Sequence, residues 1–177
     1  MQSKRVFLIG YMGAGKSSVG KKMANSFGVP FIDIDSLIVE KHKMSINDFF
    51  RKYGEETFRD EETKVLKDVI SAHNEAIIAV GGGLPCFNDN MMIINKEGVS
   101  IYLHRPAKEL FARLKNKKED RPLIKDLSDQ ELLTFIENQL QEREKFYNQA
   151  HLKVGRDEQK LSSLKEILKN KKGNAFM

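Results

Sequence analysis

Cysteine is nearly absent from the chain: Cys86 stands alone among 177 residues, which excludes an internal disulfide and fits a reducing cytoplasm. Long hydrophobic runs are absent as well. Nothing approaches the ~20 apolar residues needed to span a bilayer, and the apolar stretch 6–9 is too short for a signal peptide. Repeats, linkers and low-complexity segments are also missing, so residues 1–177 read as a single domain large enough to bury a real core. Nor does one sign of charge dominate. Thirty Lys+Arg against 25 Asp+Glu leave +5, a mild excess that suits nucleic acid or anionic small substrates equally well. Its densest runs, Lys115–Lys118 and Lys165–Lys172, do not form one stripe, and such runs are ordinarily solvated faces. The remaining composition, 40% hydrophobic and 31% charged, is that of a soluble globular protein.

What is present is a phosphate-binding sequence near the N-terminus. The apolar run Val6–Ile9 leads into Gly10-Tyr11-Met12-Gly13-Ala14-Gly15-Lys16-Ser17, with Ser18 following. This is G-x-x-x-x-G-K-[ST] in the context it requires, a strand before it and a helical pattern (Val19, Met23, Phe27) after it. Glycines let the backbone curl so that successive N–H groups face a polyphosphate, and the helix start adds unpaired donors and its dipole. Lys16 suits the β- and γ-phosphates, and the Ser17 hydroxyl is placed to ligate Mg²⁺.

Further apolar runs, Phe31–Ile34, Ala76–Val80, Val99–Leu103 and Leu152–Val154, alternate with helical patterns. That alternation predicts an α/β fold with a parallel sheet covered on both faces. Helices are expected over about 37–43, from the Ser45 cap to Tyr53, from Glu55 to about Ala72 beyond a break at Gly54, and over 89–96. Others are expected around Leu110 and Leu114, from the capping box Ser128-Asp129-Gln130-Glu131 to about Tyr147, and over 158–170. The charged stretch 116–122 has almost no apolar anchor and reads as a mobile surface segment.

Three further features carry chemistry. Asp33 and Asp35 lie two apart at the end of the second strand, so both carboxylates are expected to face one cleft; alternatively Asp35 merely caps the helix that follows. Gly81-Gly82-Gly83 ends another strand, where glycines permit close approach of a ligand or chain segment, or simply a tight turn. Arg59, Arg121 and Arg143 offer planar guanidinium groups for a carboxylate or phosphate, yet spacing alone does not distinguish them from surface arginines paired with nearby glutamates.

Taken in order, Gly10–Ser18, Asp33-x-Asp35, Phe58-Arg59-x-x-Glu62, Gly81–Gly83, Arg121-Pro122-Leu123 and Arg143-x-x-x-Tyr147 strongly resemble shikimate kinase over about residues 5–155. The resemblance implies transfer of the γ-phosphoryl of ATP to the 3-hydroxyl of shikimate, in the pathway to chorismate and aromatic amino acids. It implies a three-layer P-loop kinase fold with a five-stranded parallel sheet in order 2-3-1-4-5, a helical acceptor-binding region near 35–62 and a lid near 113–126. It further implies that Asp35, Arg59, the glycines Gly81, Gly82 and Gly83, and Arg143 bind shikimate. Arg59 and Arg143 would clamp the carboxylate, and Phe50, Phe58 and Glu62 would support the pocket. Gly13, Ala14, Gly15, Lys16, Ser17 and Ser18 would bind ATP with the lid residue Arg121, Ser17 and Asp33 would serve Mg²⁺, and Lys16, Asp35 and Arg121 would be catalytic. A cytoplasmic monomer without nucleic-acid or membrane partners is expected. Adenine contacts do not align cleanly; Arg113 and the stretch 155–157 are the candidates.

Competing readings are a gluconate or nucleoside-monophosphate kinase on the same scaffold, a nucleic-acid-dependent ATPase, and an idle nucleotide-binding module. The glycines with Arg59 and Arg143 favour a small carboxylate acceptor. No later strand ends in the apolar-run-plus-Asp-Glu of nucleic-acid motors, and the presence of Asp35 and Arg121 argues against an idle module.

Overall fold

A computed structural model describes residues 4–116 and 124–170. Five strands, β1 (Lys4–Ile9), β2 (Phe31–Asp33), β3 (Glu75–Ala79), β4 (Val99–Leu103) and β5 (Leu152–Val154), alternate with helices. The helices are α1 (Lys16–Phe27), α2 (Ile34–His42), α3 (Ile46–Ala72), α4 (Asn90–Glu97), α5 (Ala107–Lys115), α6 (Asp129–Tyr147) and α7 (Leu161–Asn170). Short 3₁₀ turns occupy Leu84–Cys86 and Asp157–Gln159. Every strand pair is parallel, as the alternation of apolar runs predicts, and the sheet order is β2-β3-β1-β4-β5, as the family resemblance implies.

Alternation along β1 explains the layering. Phe7 and Ile9 point into a core shared with Ile38 of α2, Leu66 of α3 and Ile94 of α4. Val6 and Leu8 point the other way, into a core with Met23 of α1, Leu110 of α5, Ile136 of α6 and Leu164 of α7. A strand with period two can be apolar throughout only if both faces are covered. At the amino end of the sheet Arg5 is buried, 6% exposed. Its guanidinium donates to the carbonyls of Ile70 (2.7 Å), His73 (2.6 Å) and Glu97 (3.1 Å). One cation thereby fastens β1 to the ends of α3 and α4.

Local signals set several element boundaries. Ser128 and Glu131 form the reciprocal capping box that opens α6, and Ser45 accepts from the Asp48 N–H at the start of α3. Gly54 sits at φ 84°, ψ 169° and breaks the helical run of α3 into two segments, a conformation that L side chains resist. Two boundaries differ from expectation. The second strand stops at Asp33 and α2 begins at Ile34, so Asp35 belongs to a helix and not to a strand. The expected terminal helix over 158–170 is a 3₁₀ turn followed by α7.

Because β1 lies between β3 and β4, the chain leaves its carboxyl end where strand order reverses direction, the position at which open parallel sheets form a ligand crevice. The residues 10–18, 33–35 and 81–83 all emerge at that end.

Candidate active site

Residues 10–15 curl between β1 and α1. Gly13 and Gly15 stand at φ 79° and 106°, in the left-handed region where glycine is favoured, and the Ala14 N–H closes a turn onto the Tyr11 carbonyl at 3.1 Å. Ala14 itself is buried. Lys16 Nζ donates to the carbonyls of Gly10 (2.7 Å) and Tyr11 (3.2 Å), which folds the ammonium back over the loop. The Ser17 hydroxyl donates to Asp33 Oδ2 at 2.8 Å.

Above this loop opens a cleft of about 570 Å³. Gly13, Gly15, Lys16, Ser17 and Ser18 form its floor, Asp33, Asp35 and Gly82 one wall, and Arg113 with Leu114 of α5 the other. Asp33 and Asp35 do share the cleft, but not through strand alternation. Asp33 holds the cap position of α2 without a side-chain capping bond, and Asp35 lies in its first turn, where the helix dipole favours negative charge. Burial pushes the Asp35 carboxyl above the usual carboxylate range, and Asp33 reinforces this, while Lys16 and Arg59 oppose it.

The three glycines after β3 answer to side chains rather than to backbone geometry, for none of them has positive φ. A Cβ at Gly81 would lie 2.6 Å from Glu62 Oε1 and 2.7 Å from Asp35 Oδ1. One at Gly82 would lie 3.3 Å from Arg143 Nη1, and one at Gly83 would lie 2.6 Å from Arg59 Nη1. The turn is thus pressed against Glu62, Asp35, Arg143 and Arg59.

Arg59, in the second segment of α3, donates from Nη1 to Glu62 Oε2 at 2.7 Å and from Nη2 and Nε to Glu55 Oε1 at 2.8 and 3.2 Å. Its guanidinium carbon stands 4.3 Å from the centre of the Phe87 ring, 5.4 Å from Phe58 and 5.5 Å from Phe50. Glu62 is buried. Burial pushes its carboxyl up to about 7, although Arg59 pulls the other way. Arg143 on α6 hydrogen-bonds Gln139 and faces the Tyr11 ring at 5.5 Å. One turn on, the buried Tyr147 donates its hydroxyl to the Gly82 carbonyl at 2.5 Å. A network behind the turn ties it to α3: Thr63 Oγ1 donates to the Arg59 carbonyl at 2.9 Å and accepts from Asn90 Nδ2 at 3.0 Å, which also donates to the Leu84 carbonyl.

Sequence reasoning missed Phe87 and Asn90, which no periodicity connects to Arg59, and Thr63, whose i,i+4 spacing from Arg59 was the available signal. The Glu55 pairing was legible as an i,i+4 spacing. Cys86 is a half-buried free thiol whose pKa burial raises to about 11, an inert side chain at neutral pH. Arg121 lies outside the described residues. Of the expected lid span, Arg113 to Lys115 belong to α5, and Ile124 is buried in the core beside α5 and α6. Arg113 also lines a shallower recess of about 350 Å³ together with Arg105 and Arg156.

A phosphate-binding loop at the switch point of a parallel sheet, opposite a wall of carboxylates and arginines, defines a P-loop phosphotransferase acting on a small acceptor. Comparison with known proteins narrows the class. Residues 12–172 match the family model for shikimate kinase. The shikimate kinase of Azobacteroides pseudotrichonymphae genomovar. CFP2 is 46% identical over 149 residues, 84% of this chain and 88% of that one. The crystal structure of shikimate kinase from Bacteroides thetaiotaomicron superposes with a TM-score of 0.89 at 38% identity, over 93% of this chain and 98% of that one. The enzyme from Acinetobacter baumannii, in complex with shikimate, superposes with a TM-score of 0.84 at 29% identity, over 97% and 96%. A gluconokinase from Sinorhizobium meliloti, at 16% identity and a TM-score of 0.55 over 96% and 97%, shares the fold alone. The chain belongs to the shikimate kinase family.

Proposed function

We propose that the cleft carries out the family's reaction, transfer of the γ-phosphoryl of ATP to the 3-hydroxyl of shikimate. The observation that carries this reading is the pairing of the phosphate-binding loop with a wall that presents two arginines and two carboxylates around Gly81–Gly83. Arg59 and Arg143 take the shikimate carboxylate, because a guanidinium binds a carboxylate through two parallel bonds. Asp35 takes the acceptor hydroxyl. Glu62 and the Phe50 and Phe58 rings hold Arg59 in place.

On the nucleotide side, the amides of Gly13 to Ser18 and the Lys16 ammonium bind the phosphates. Arg121, outside the described residues, is assigned to the phosphates by the family resemblance. The recess beside Arg113 and Arg156 supports placing the adenine there. Among the described residues no cluster of three or more acidic, histidine or cysteine side chains could cage a metal. The Ser17–Asp33 pair nevertheless suits Mg²⁺, which is usually held by one or two protein oxygens together with substrate phosphates. When bound, Mg²⁺ neutralises the charge of the β- and γ-phosphates.

Phosphoryl transfer of this kind is mostly positioning and charge stabilisation around a loose transition state. The bond between the γ-phosphorus and the oxygen bridging it to the β-phosphate breaks while the shikimate 3-oxygen bonds to phosphorus in line. ADP leaves with the bridging oxygen. The hydroxyl proton passes to Asp35, whose environment raises its affinity for a proton. A cytoplasmic monomer without nucleic-acid or membrane partners completes the reading.

The deciding assay follows ADP release from MgATP with shikimate, gluconate or a nucleoside monophosphate, each beside an acceptor-free control. Release that depends on shikimate alone is expected. Release with gluconate or a nucleotide instead would move Arg59 and Arg143 to another acceptor, and hydrolysis stimulated by nucleic acid would overturn the kinase reading.

A further inference from the structure

Two carboxylates hold Arg59, and they differ in kind. The Glu62 side chain is 2% exposed and forms part of the pocket wall, whereas the Glu55 side chain is 60% exposed. Glu55 directly follows Gly54, where the helix breaks, and its side chain faces solvent on the side away from Arg59, so the glutamate has room to leave. Its Oε1 accepts from both Nε and Nη2, the edge of a guanidinium that grips a carboxylate with two parallel bonds. The Nη1 end is committed to Glu62 and a flat face lies over Phe87, so the Nε/Nη2 edge is the side on which an incoming carboxylate would compete.

We infer that Glu55 is an internal carboxylate seated where the acceptor's carboxylate binds Arg59, and that acceptor binding exchanges one for the other. This rests on the reading that Arg59 takes the acceptor carboxylate. The exchange keeps the guanidinium paired throughout, and it makes Glu55 a residue that tunes affinity for the acceptor carboxylate. An acceptor bearing a carboxylate displaces Glu55, whereas a neutral acceptor leaves the Arg59–Glu55 pair in place.

The test compares Glu55→Gln with the unaltered chain at saturating MgATP, reading KM for shikimate and the inhibition constant of its neutral methyl ester. Exposed ion pairs contribute modestly, so KM for shikimate is expected to fall roughly two- to five-fold, with the ester's inhibition constant unmoved. A KM that is unchanged or raised would mean that Glu55 orients Arg59 instead of competing for it, and would overturn the inference. Equal gains for shikimate and ester would overturn it too, since exchange concerns the carboxylate alone. Arg59→Lys, measured in parallel, separates the two readings. If it raises KM for shikimate while Glu55→Gln fails to lower it, only the exchange is lost; if Arg59→Lys leaves KM unmoved, the carboxylate clamp falls and the exchange with it.

Discussion

Alanine at position 83 tests why the turn after β3 carries three glycines. Gly83 stands at φ −86°, ψ −25°, a conformation any residue adopts, so the backbone itself tolerates Gly83→Ala. Such replacements stabilise by about 0.4–1 kcal/mol where the native geometry is compatible, by narrowing the unfolded ensemble. The obstacle is Arg59. The new Cβ would lie 2.6 Å from Nη1, 2.9 Å from Nη2 and 3.0 Å from Cζ, whereas ordinary contact begins at 3.4 Å. The guanidinium therefore has to retreat by nearly an ångström from its place beside Glu62. It sits at the end of a flexible side chain, so the fold can absorb the shift while the site cannot. Misplacement of about 1 Å in a binding group costs on the order of 100-fold in catalysis, and kcat/KM for shikimate is expected to fall roughly 10- to 100-fold. KM for MgATP should hold within about two-fold, because the phosphate loop lies outside the disturbance. Steady-state ADP release with shikimate varied, beside a thermal melt, reads both quantities. Two results would refute the reasoning: kcat/KM for shikimate within two-fold of the parent, or a melting temperature lowered by several degrees, which would make Gly83 a backbone requirement after all.

Asp35→Asn should lower kcat by at least about 100-fold, the usual weight of a positioned proton acceptor, with KM for MgATP nearly unchanged; single-turnover phosphoryl transfer separates the chemical step from binding. Glu62→Gln should alter the pH dependence of stability. The folded-state pKa of Glu62 is raised from 4.5 to about 7, so its contribution is fully present below 4.5 and is lost as pH rises through about 7. The variant should therefore gain on the parent between those limits, by at most about 3 kcal/mol, in urea melts at pH 4.5 and pH 8; a parallel pair of curves would contradict the burial argument. Arg5→Met removes the cation that three backbone carbonyls share. Leaving buried acceptors unpaired costs about 1–3 kcal/mol each, so a loss of at least about 3 kcal/mol is expected in denaturant titration, without change in KM for shikimate in the folded fraction.

Much of the architecture is written in short-range pattern. The apolar runs 6–9, 76–80 and 99–103 mark buried parallel strands because both faces of each must be covered, and the glycine-rich loop before Lys16 declares its ligand through backbone requirements local to a few residues. The Ser128–Glu131 box and the Gly54 break are equally local, and each sets an element boundary where the sequence alone puts it. Asp35 shows the limit of such reasoning. Alternation along a strand led to the right cleft, yet the chain turns helical at Ile34 and the carboxylate arrives from the first turn of α2. Whether that helix begins at Ile34 or near Leu37 depends on packing that period-two reasoning does not contain.

The acceptor wall belongs to the tertiary structure. Nothing in the spacing of Phe87 and Arg143 says that they converge on the Arg59–Glu62 pair, since Phe87 follows the glycine turn and Arg143 sits on a helix separated from it by three other elements. Nor does the sequence reveal that Gly81, Gly82 and Gly83 each make room for a different side chain, Glu62 and Asp35, Arg143 and Arg59 respectively. A glycine required by φ can be recognised from its own turn, whereas a glycine required by a neighbour is explained only by the neighbour. The sequence by itself determined the strands, the phosphate loop and the class of chemistry, because those depend on period and local backbone geometry. Only the tertiary structure decided which charges meet around the acceptor, because those contacts join residues far apart in the chain.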